Sequence, residues 1–255
     1  MIQSLSFISA HFYDFDWIEM LISKINLFTP VNLIEEILVI NQDRTLSSYN
    51  KLHQLDPKIK VLEYPKSDTH FNLMGHDHAA VLNKAVIEAK GQYICIFDSD
   101  AHPINELWLN KCEIILTKFD AILALDPLKI ISTHPCFMLI KRDHIDPSIK
   151  FDEGLFDNKI DTGRLVGQQL INAGRQVFFA SANRAFNNYW GFIYLNSIYH
   201  HKSASYLGAD ERLTSQIDWK NAYFKNLIKK RQKYEFTTYD FLIYKLINRF
   251  YKIFN

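Results

Sequence analysis

Strand-like and helix-like segments alternate through the first half of this 255-residue chain, and that alternation leaves few folds open. Leu5 to His11 is strand-like, and Asp16 to Phe28 carries apolar residues at helical spacing. Glu36 to Ile40 is a second strand that runs out at Asn41-Gln42-Asp43, and Ile59 to Tyr64 is a third, closed by Pro65. Gly75 to Ala89 has helical periodicity through Ala79, Leu82, Val86 and Ile87, and Gly91 stops it before the apolar run Tyr93 to Phe97. Strands separated by helices pair in parallel through crossover connections, so the expected class is α/β with a doubly wound, mostly parallel sheet flanked by helices.

Beyond Pro103 the alternation loosens. A helix is expected from Glu106 to Lys118, a strand at Ala121 to Leu125 and another at Phe137 to Ile140. Asp161 to Ala173 reads as a helix stopped by Gly174, ahead of a strand at Val177 to Ala180. Trp190 to Tyr199 is aromatic and leads into His200-His201.

The strand Tyr93 to Phe97 is followed at once by Asp98-Ser99-Asp100. Alternate residues of an extended segment project to one side, so the two carboxylates converge where a buried strand emerges. Ligands of open α/β sheets bind outside the carboxyl ends of the strands. Carboxylates held together repel unless a cation lies between them, and oxygen ligands suit a hard divalent ion. On its own, an Asp-x-Asp also fits a helix cap or a solvated pair.

Several classes of function are disfavoured. The formal net charge is +1, so nothing global points to nucleic acid. Cys95, Cys112 and Cys136 are odd in number, widely spaced and set among apolar residues, the pattern of reduced thiols in a cytosolic protein. The N-terminus lacks a basic flank and a cleavage site, so no secretory leader is expected. No apolar run reaches the roughly 20 residues needed to span a bilayer. A Gly-rich phosphate loop, a Gly-x-Ser-x-Gly elbow, His-Glu-x-x-His and Cys-x-x-Cys are all missing from the sequence.

The C-terminal segment differs in charge. From Trp219 to Asn255 there are nine Lys or Arg residues against two acidic ones. Lys245, Arg249 and Lys252 share one helical face, and Phe241, Leu242, Leu246, Phe250 and Phe254 cover much of the rest. Such a helix suits an anionic membrane surface, and equally a helix docked on its own domain with a solvated basic face. The expected division is therefore a main α/β domain over residues 1–207 and a basic amphipathic extension over 208–255.

The run Gly75-His76-Asp77-His78-Ala79-Ala80-Val81-Leu82-Asn83-Lys84-Ala85, followed by Ala89-Lys90-Gly91 and Tyr93-Ile94-Cys95-Ile96-Phe97-Asp98-Ser99-Asp100, resembles the core of the GT-A glycosyltransferases. It is most similar to their large inverting family 2. The resemblance implies a GT-A fold with a C-terminal helical extension. It implies transfer of a sugar from a nucleotide-diphosphate donor, UDP-sugar favoured, to a saccharide or lipid-linked glycan, as in bacterial surface polysaccharide synthesis. The protein would be cytoplasmic, with its C-terminal helix able to meet the inner face of the membrane.

The same resemblance implies roles. Asp98 would contact the nucleotide and, with Asp100, hold the Mn²⁺ or Mg²⁺ that bridges the diphosphate. Asn41 and Asp43 match the nucleoside-binding position, with Arg44 and Lys66 as secondary contacts. His76 and Asp77 open a helix bordering nucleotide and sugar, where free N–H groups favour anions. His200 or His201 would complete the metal shell, and Lys202 would neutralise the diphosphate. His102 is a further possible ligand. Asp161 is the best match for the base that takes the acceptor's proton. The family's usual Glu-Asp pair is replaced here by Asp161-Thr162-Gly163, which keeps Asp152, Glu153 and Asp157 as alternatives. Two rival readings are a nucleotidyltransferase, disfavoured because Ser9-Ala10-His11-Phe12-Tyr13-Asp14 contains no Gly or Arg, and a non-catalytic scaffold of the same fold.

Overall fold

The computed structural model describes residues 1–12, 14–42, 46–64, 74–126, 132–145, 148–152, 162–184 and 191–201, with backbone alone at 46–48, 74–77 and 183–184. Its main sheet is built from β1 (Leu5–His11), β2 (Ile34–Asn41), β3 (Ile59–Glu63), β4 (Tyr93–Phe97), β6 (Ala121–Leu125), β7 (Thr133–Lys141) and β8 (Val177–Ala180). A second, smaller sheet contains β5 (Ala101–Pro103), β9 (Ala182–Arg184), β10 (Phe192–Tyr194) and β11 (Ile198–His200). The α-helices are α1 (Phe15–Phe28), α2 (Leu46–Leu55), α3 (Met74–Glu88), α4 (Trp108–Leu116) and α5 (Val166–Asn172).

The seven strands of the main sheet run in the order β3-β2-β1-β4-β7-β6-β8. All neighbours pair in parallel except β7, which is antiparallel to both β4 and β6. The chain winds outward from β1 through β2 to β3, then returns to place β4 on the other side of β1. The order therefore reverses between β1 and β4, and the carboxyl ends of strands at such a switch point are where sheets of this kind hold ligands.

Side-chain alternation divides the interior between the two faces. On one face Phe7, Cys95, Phe97 and Leu139 pack with Ile18 and Ile22 of α1 and with Trp108 and Ile115 of α4. On the other, Ile8, Ile94, Ile96 and Met138 meet Leu82 and Ala85 of α3 and Leu170 of α5. Burying one such side chain is worth about 1.5–3 kcal/mol, so β1 and β4 are anchored from both sides where they deliver the switch-point residues.

Gly91 has a stricter role than ending a helix. α3 ends at Glu88, and a Cβ on Gly91 would sit 2.4 Å from Ser6 N and 2.7 Å from Leu5 C, inside the backbone of β1. The Gly91 N–H donates to Ser6 Oγ at 2.8 Å, and the Ser6 hydroxyl donates to Glu36 Oε1 at 2.8 Å. Lys90 N–H donates to the same Glu36 oxygen at 2.7 Å. The entry to β4 is thereby tied to both β1 and β2.

The structure departs from the sequence expectation in four places. β7 starts at Thr133 rather than Phe137, and its pairing with β6 jumps from Leu123↔Met138 to Ala124↔His134, a bulge that contains Pro135. α5 is shorter than the expected helix, because Thr162 to Leu165 form a turn and Gly163 has φ +69°. α4 lacks the outer residues of the span from Glu106 to Lys118. The small antiparallel sheet, in the order β5-β11-β10-β9, was not expected, since its three-residue strands are too short to show a period. The boundary at residue 207 and the basic extension over 208–255 lie outside the described residues. Among the described residues, no helix is long and apolar enough to cross a membrane.

Candidate metal and nucleotide site

Asp98 follows β4 directly, and the chain turns so that Ala101 N–H donates to Asp98 O at 2.9 Å. This turn sets the carboxylates of Asp98 and Asp100 beside the imidazole of His200, all three offering ligand atoms within 4.8 Å of one another. His200 Nε2 is 3.5 Å from Asp100 Oδ1 and 3.8 Å from Asp98 Oδ2. These separations are too long for good hydrogen bonds. They are a little wider than the about 3 Å between adjacent ligands of an octahedral ion bound at about 2.1 Å. The residues therefore fit a divalent cation of the Mg²⁺ or Mn²⁺ class, held by two oxygens and one nitrogen.

His200 reaches the carboxylates through the small sheet. β11 pairs antiparallel with β5 in the register His200↔Ala101 and Tyr199↔His102, and His201 N–H donates to Asp100 O at 3.0 Å. Neighbours along a strand face opposite ways, and here that separates the adjacent histidines. The His201 ring stacks on Trp17 at 4.6 Å, and its Nδ1 is 2.8 Å from the Tyr199 hydroxyl. His102 points the same way, 5.6 Å from the Tyr199 ring and 6.3 Å from Trp17. Burial, with help from the charges of Lys24 and His201, pulls His102 down to about 3. Neither His201 nor His102 joins the carboxylates; both belong to the aromatic packing behind them.

Three residues near Asp98 were not picked out as ligands from sequence. His78 Nε2, from α3, is 3.7 Å from Asp98 Oδ1, and His134 Nδ1, from β7, is 3.5 Å from Asp98 Oδ2. Cys136 is fully buried and forms a further close group with His134 and His200. Burial and the nearby Asp98 charge push its thiol well up, opposed by a hydrogen bond with Tyr194. The available signal was Pro135, since a proline inside a strand marks a bulge, and a bulge re-aims its neighbours.

The turn between the carboxylates is held from β1. Ser99's hydroxyl donates to Asp14 Oδ2, while Asp14 Oδ1 meets His11 Nδ1 at 2.7 Å and accepts the Phe12 N–H at 3.1 Å. His11, Asp14 and Ser99 are all buried, so this chain of contacts is shielded from water. It joins the two strands at the switch point.

The other expected residues fall as follows. Asn41 ends β2 at the same sheet edge, opposite His11, with its amide directed to Glu63 at 3.2 Å. His76 and Asp77 lie in the first turns of α3, whose next residue, His78, faces Asp98. Asp152 accepts the Asn83 amide at 2.9 Å. Thr162, next to Asp161, is buried, and Gly163 O accepts the hydroxyl of Thr133, the neighbour of His134. Asp43, Arg44, Lys66, Glu153, Asp157, Asp161 and Lys202 lie outside the described residues.

Comparison with solved structures gives the fold its name. The chain resembles the mannosyltransferase PcManGT from Pyrobaculum calidifontis, solved in complex with GDP-Man and Mn²⁺, with a TM-score of 0.54 and 16% identity over 69% of this chain and 54% of that one. It also resembles S. aureus TarS, with a TM-score of 0.51 and 15% identity over 70% of this chain and 35% of that one. The fold is thus GT-A, and the chain spans about half or less of the length of these neighbours. No protein-family model and no curated protein sequence matches it.

Proposed function

We propose that this protein is a metal-dependent glycosyltransferase that takes a sugar from a nucleoside-diphosphate donor. The convergence of Asp98, Asp100 and His200 at the β1–β4 switch point carries this reading. A bound Mn²⁺ or Mg²⁺ would supply the positive charge that stabilises a departing diphosphate. Asp98, Asp100 and His200 are the residues that would hold it. Asp14 and Ser99 keep the turn in place, so little reorganisation is needed when the donor binds.

The nucleoside is assigned to Asn41, at the end of β2, and to Asp43, two residues further along the sequence, with His76 and Asp77 at the start of α3 bordering the sugar. Lys202, directly after His200-His201 in sequence, is assigned to the diphosphate. Asp161 is the proposed base: it removes the acceptor hydroxyl's proton as that oxygen attacks the anomeric carbon, giving inversion. Asp152 is the weaker alternative because its carboxylate is occupied by Asn83. The favoured donor is a UDP-sugar, and the GDP-Man bound by PcManGT makes GDP-sugars the next to try.

A glycan or lipid-linked acceptor is proposed, with the basic segment from Trp219 to Asn255 resting on anionic lipid. Its nine cationic against two acidic residues support that contact. The test is a turnover assay with UDP-, GDP- and dTDP-sugars in Mn²⁺. Donor consumption that disappears in Asp100→Asn and Asp161→Asn supports the reading. Metal-linked nucleotide binding with no transfer or hydrolysis would make the protein a scaffold of the same fold.

A further inference from the structure

We propose that His134, Cys136 and His200 form a second ligand set at the same site, one that binds a soft divalent transition metal of the zinc class. The inference deepens the metal-centre reading above, and it concerns which ions that centre accepts. The ligand atoms of the three residues lie within 4.8 Å of one another. A tetrahedral zinc ion, with Zn–N about 2.1 Å and Zn–S about 2.3 Å, places its ligands about 3.3–3.6 Å apart. Small side-chain rotations close that difference. Three protein ligands leave the fourth position of such an ion to a water molecule or another small ligand.

The chemistry of the set differs from that of the carboxylate pair. Two imidazoles and a thiolate favour zinc, cobalt and their neighbours, whereas Asp98 and Asp100 suit Mg²⁺ and Mn²⁺. His134 Nδ1 accepts the Cys136 N–H at 3.1 Å, so binding an ion through His134 replaces that hydrogen bond with a metal–nitrogen bond. The Tyr194 hydroxyl, which donates to Leu125 O at 3.2 Å, also lies within hydrogen-bond reach of Cys136.

Zinc-class ions bind cysteine as the thiolate. Binding therefore forms a metal–sulfur bond, breaks the S–H bond and releases one proton to solvent, with no change in oxidation state. The bulge in β7 places His134 and Cys136 side by side at the strand's start. Because His200 belongs to both sets, a soft ion and a hard ion compete for it. Zinc would then inhibit an enzyme that runs on Mn²⁺.

The test is a titration of the full-length reduced protein with Co²⁺ under anaerobic conditions, followed by absorbance and needing no nucleotide. Wild type is expected to show a thiolate-to-cobalt charge-transfer band in the near ultraviolet that Zn²⁺ abolishes. Cys136→Ser loses the band, His134→Gln weakens Co²⁺ binding at least about tenfold, and Asp100→Asn keeps the band. Near-ultraviolet circular dichroism confirms that each variant is folded. A wild-type protein without the band overturns the inference, as does a band that survives in folded Cys136→Ser. Mn²⁺-linked nucleotide binding without a cobalt–thiolate band would sink this inference alone. The band in a protein that never binds nucleotide would sink the transferase reading alone.

Discussion

His200 Nε2 stands 3.5 Å from Asp100 Oδ1, and β11 brings it there by pairing with β5, the strand that begins one residue after Asp100. The next residue, His201, turns its ring onto Trp17 instead. The two adjacent histidines should therefore fail in different ways. His200→Ala is expected to weaken Mn²⁺ binding by about 10- to 100-fold with little change in stability. His201→Ala should cost about 2 kcal/mol of stability through lost packing and the lost contact with the Tyr199 hydroxyl, leaving metal affinity close to wild type. Urea denaturation and Mn²⁺ titration on the same samples check both halves.

Ser99 is expected to matter although it is no ligand. Removing its hydroxyl leaves the buried carboxylate of Asp14 short of a donor, at a cost of about 1–3 kcal/mol. It also frees the turn that sets Asp98 against Asp100. Ser99→Ala should lower both the denaturation midpoint and Mn²⁺ affinity. Unchanged metal affinity would show that the turn holds its shape without the Asp14 contact.

Gly91→Ala should destabilise the fold by about 3 kcal/mol. The added methyl meets the β1 backbone, which cannot yield as a side chain can. Equilibrium unfolding measures this, and a loss below about 1 kcal/mol would mean that β4 can shift away from β1.

His102 gives the fold an acid sensitivity of definite sign. Its pKa is about 3 in the folded protein, against 6.5 for the free side chain, because burial disfavours the charged ring. Between those values the unfolded chain binds the proton and the folded chain does not. The stability is thus complete above pH 6.5 and is lost as pH falls towards 3. At pH 5 the loss is about 2 kcal/mol. His102→Phe should flatten that part of the stability profile measured by denaturant unfolding from pH 7.5 to 5.

The segments that could be read from sequence were those long enough to show a period. β1, β4, β6 and β8 fell where apolar runs placed them, because a strand buried on both faces advertises itself over four or more residues. The three-residue strands of the small sheet have no such signature, and they are what brings His200 to Asp100. Asp98 and Asp100 could be found because they follow a strand directly. Which histidine faces them could not, because parity along β11 depends on its register with β5. His78, His134 and Cys136 were hidden for a related reason. One comes from a helix face and the others from a bulge, and neither placement is set by spacing along the chain alone.

The most direct test of the central claim is calorimetry of UDP and GDP binding, with and without Mn²⁺, in wild type and Asp100→Asn. The expected result is that at least one nucleotide binds wild type in Mn²⁺, that chelation weakens it at least about tenfold, and that Asp100→Asn removes the metal dependence. Nucleotide binding that is equally tight without metal, or that Asp100→Asn leaves unchanged, would contradict a cation held by Asp98, Asp100 and His200.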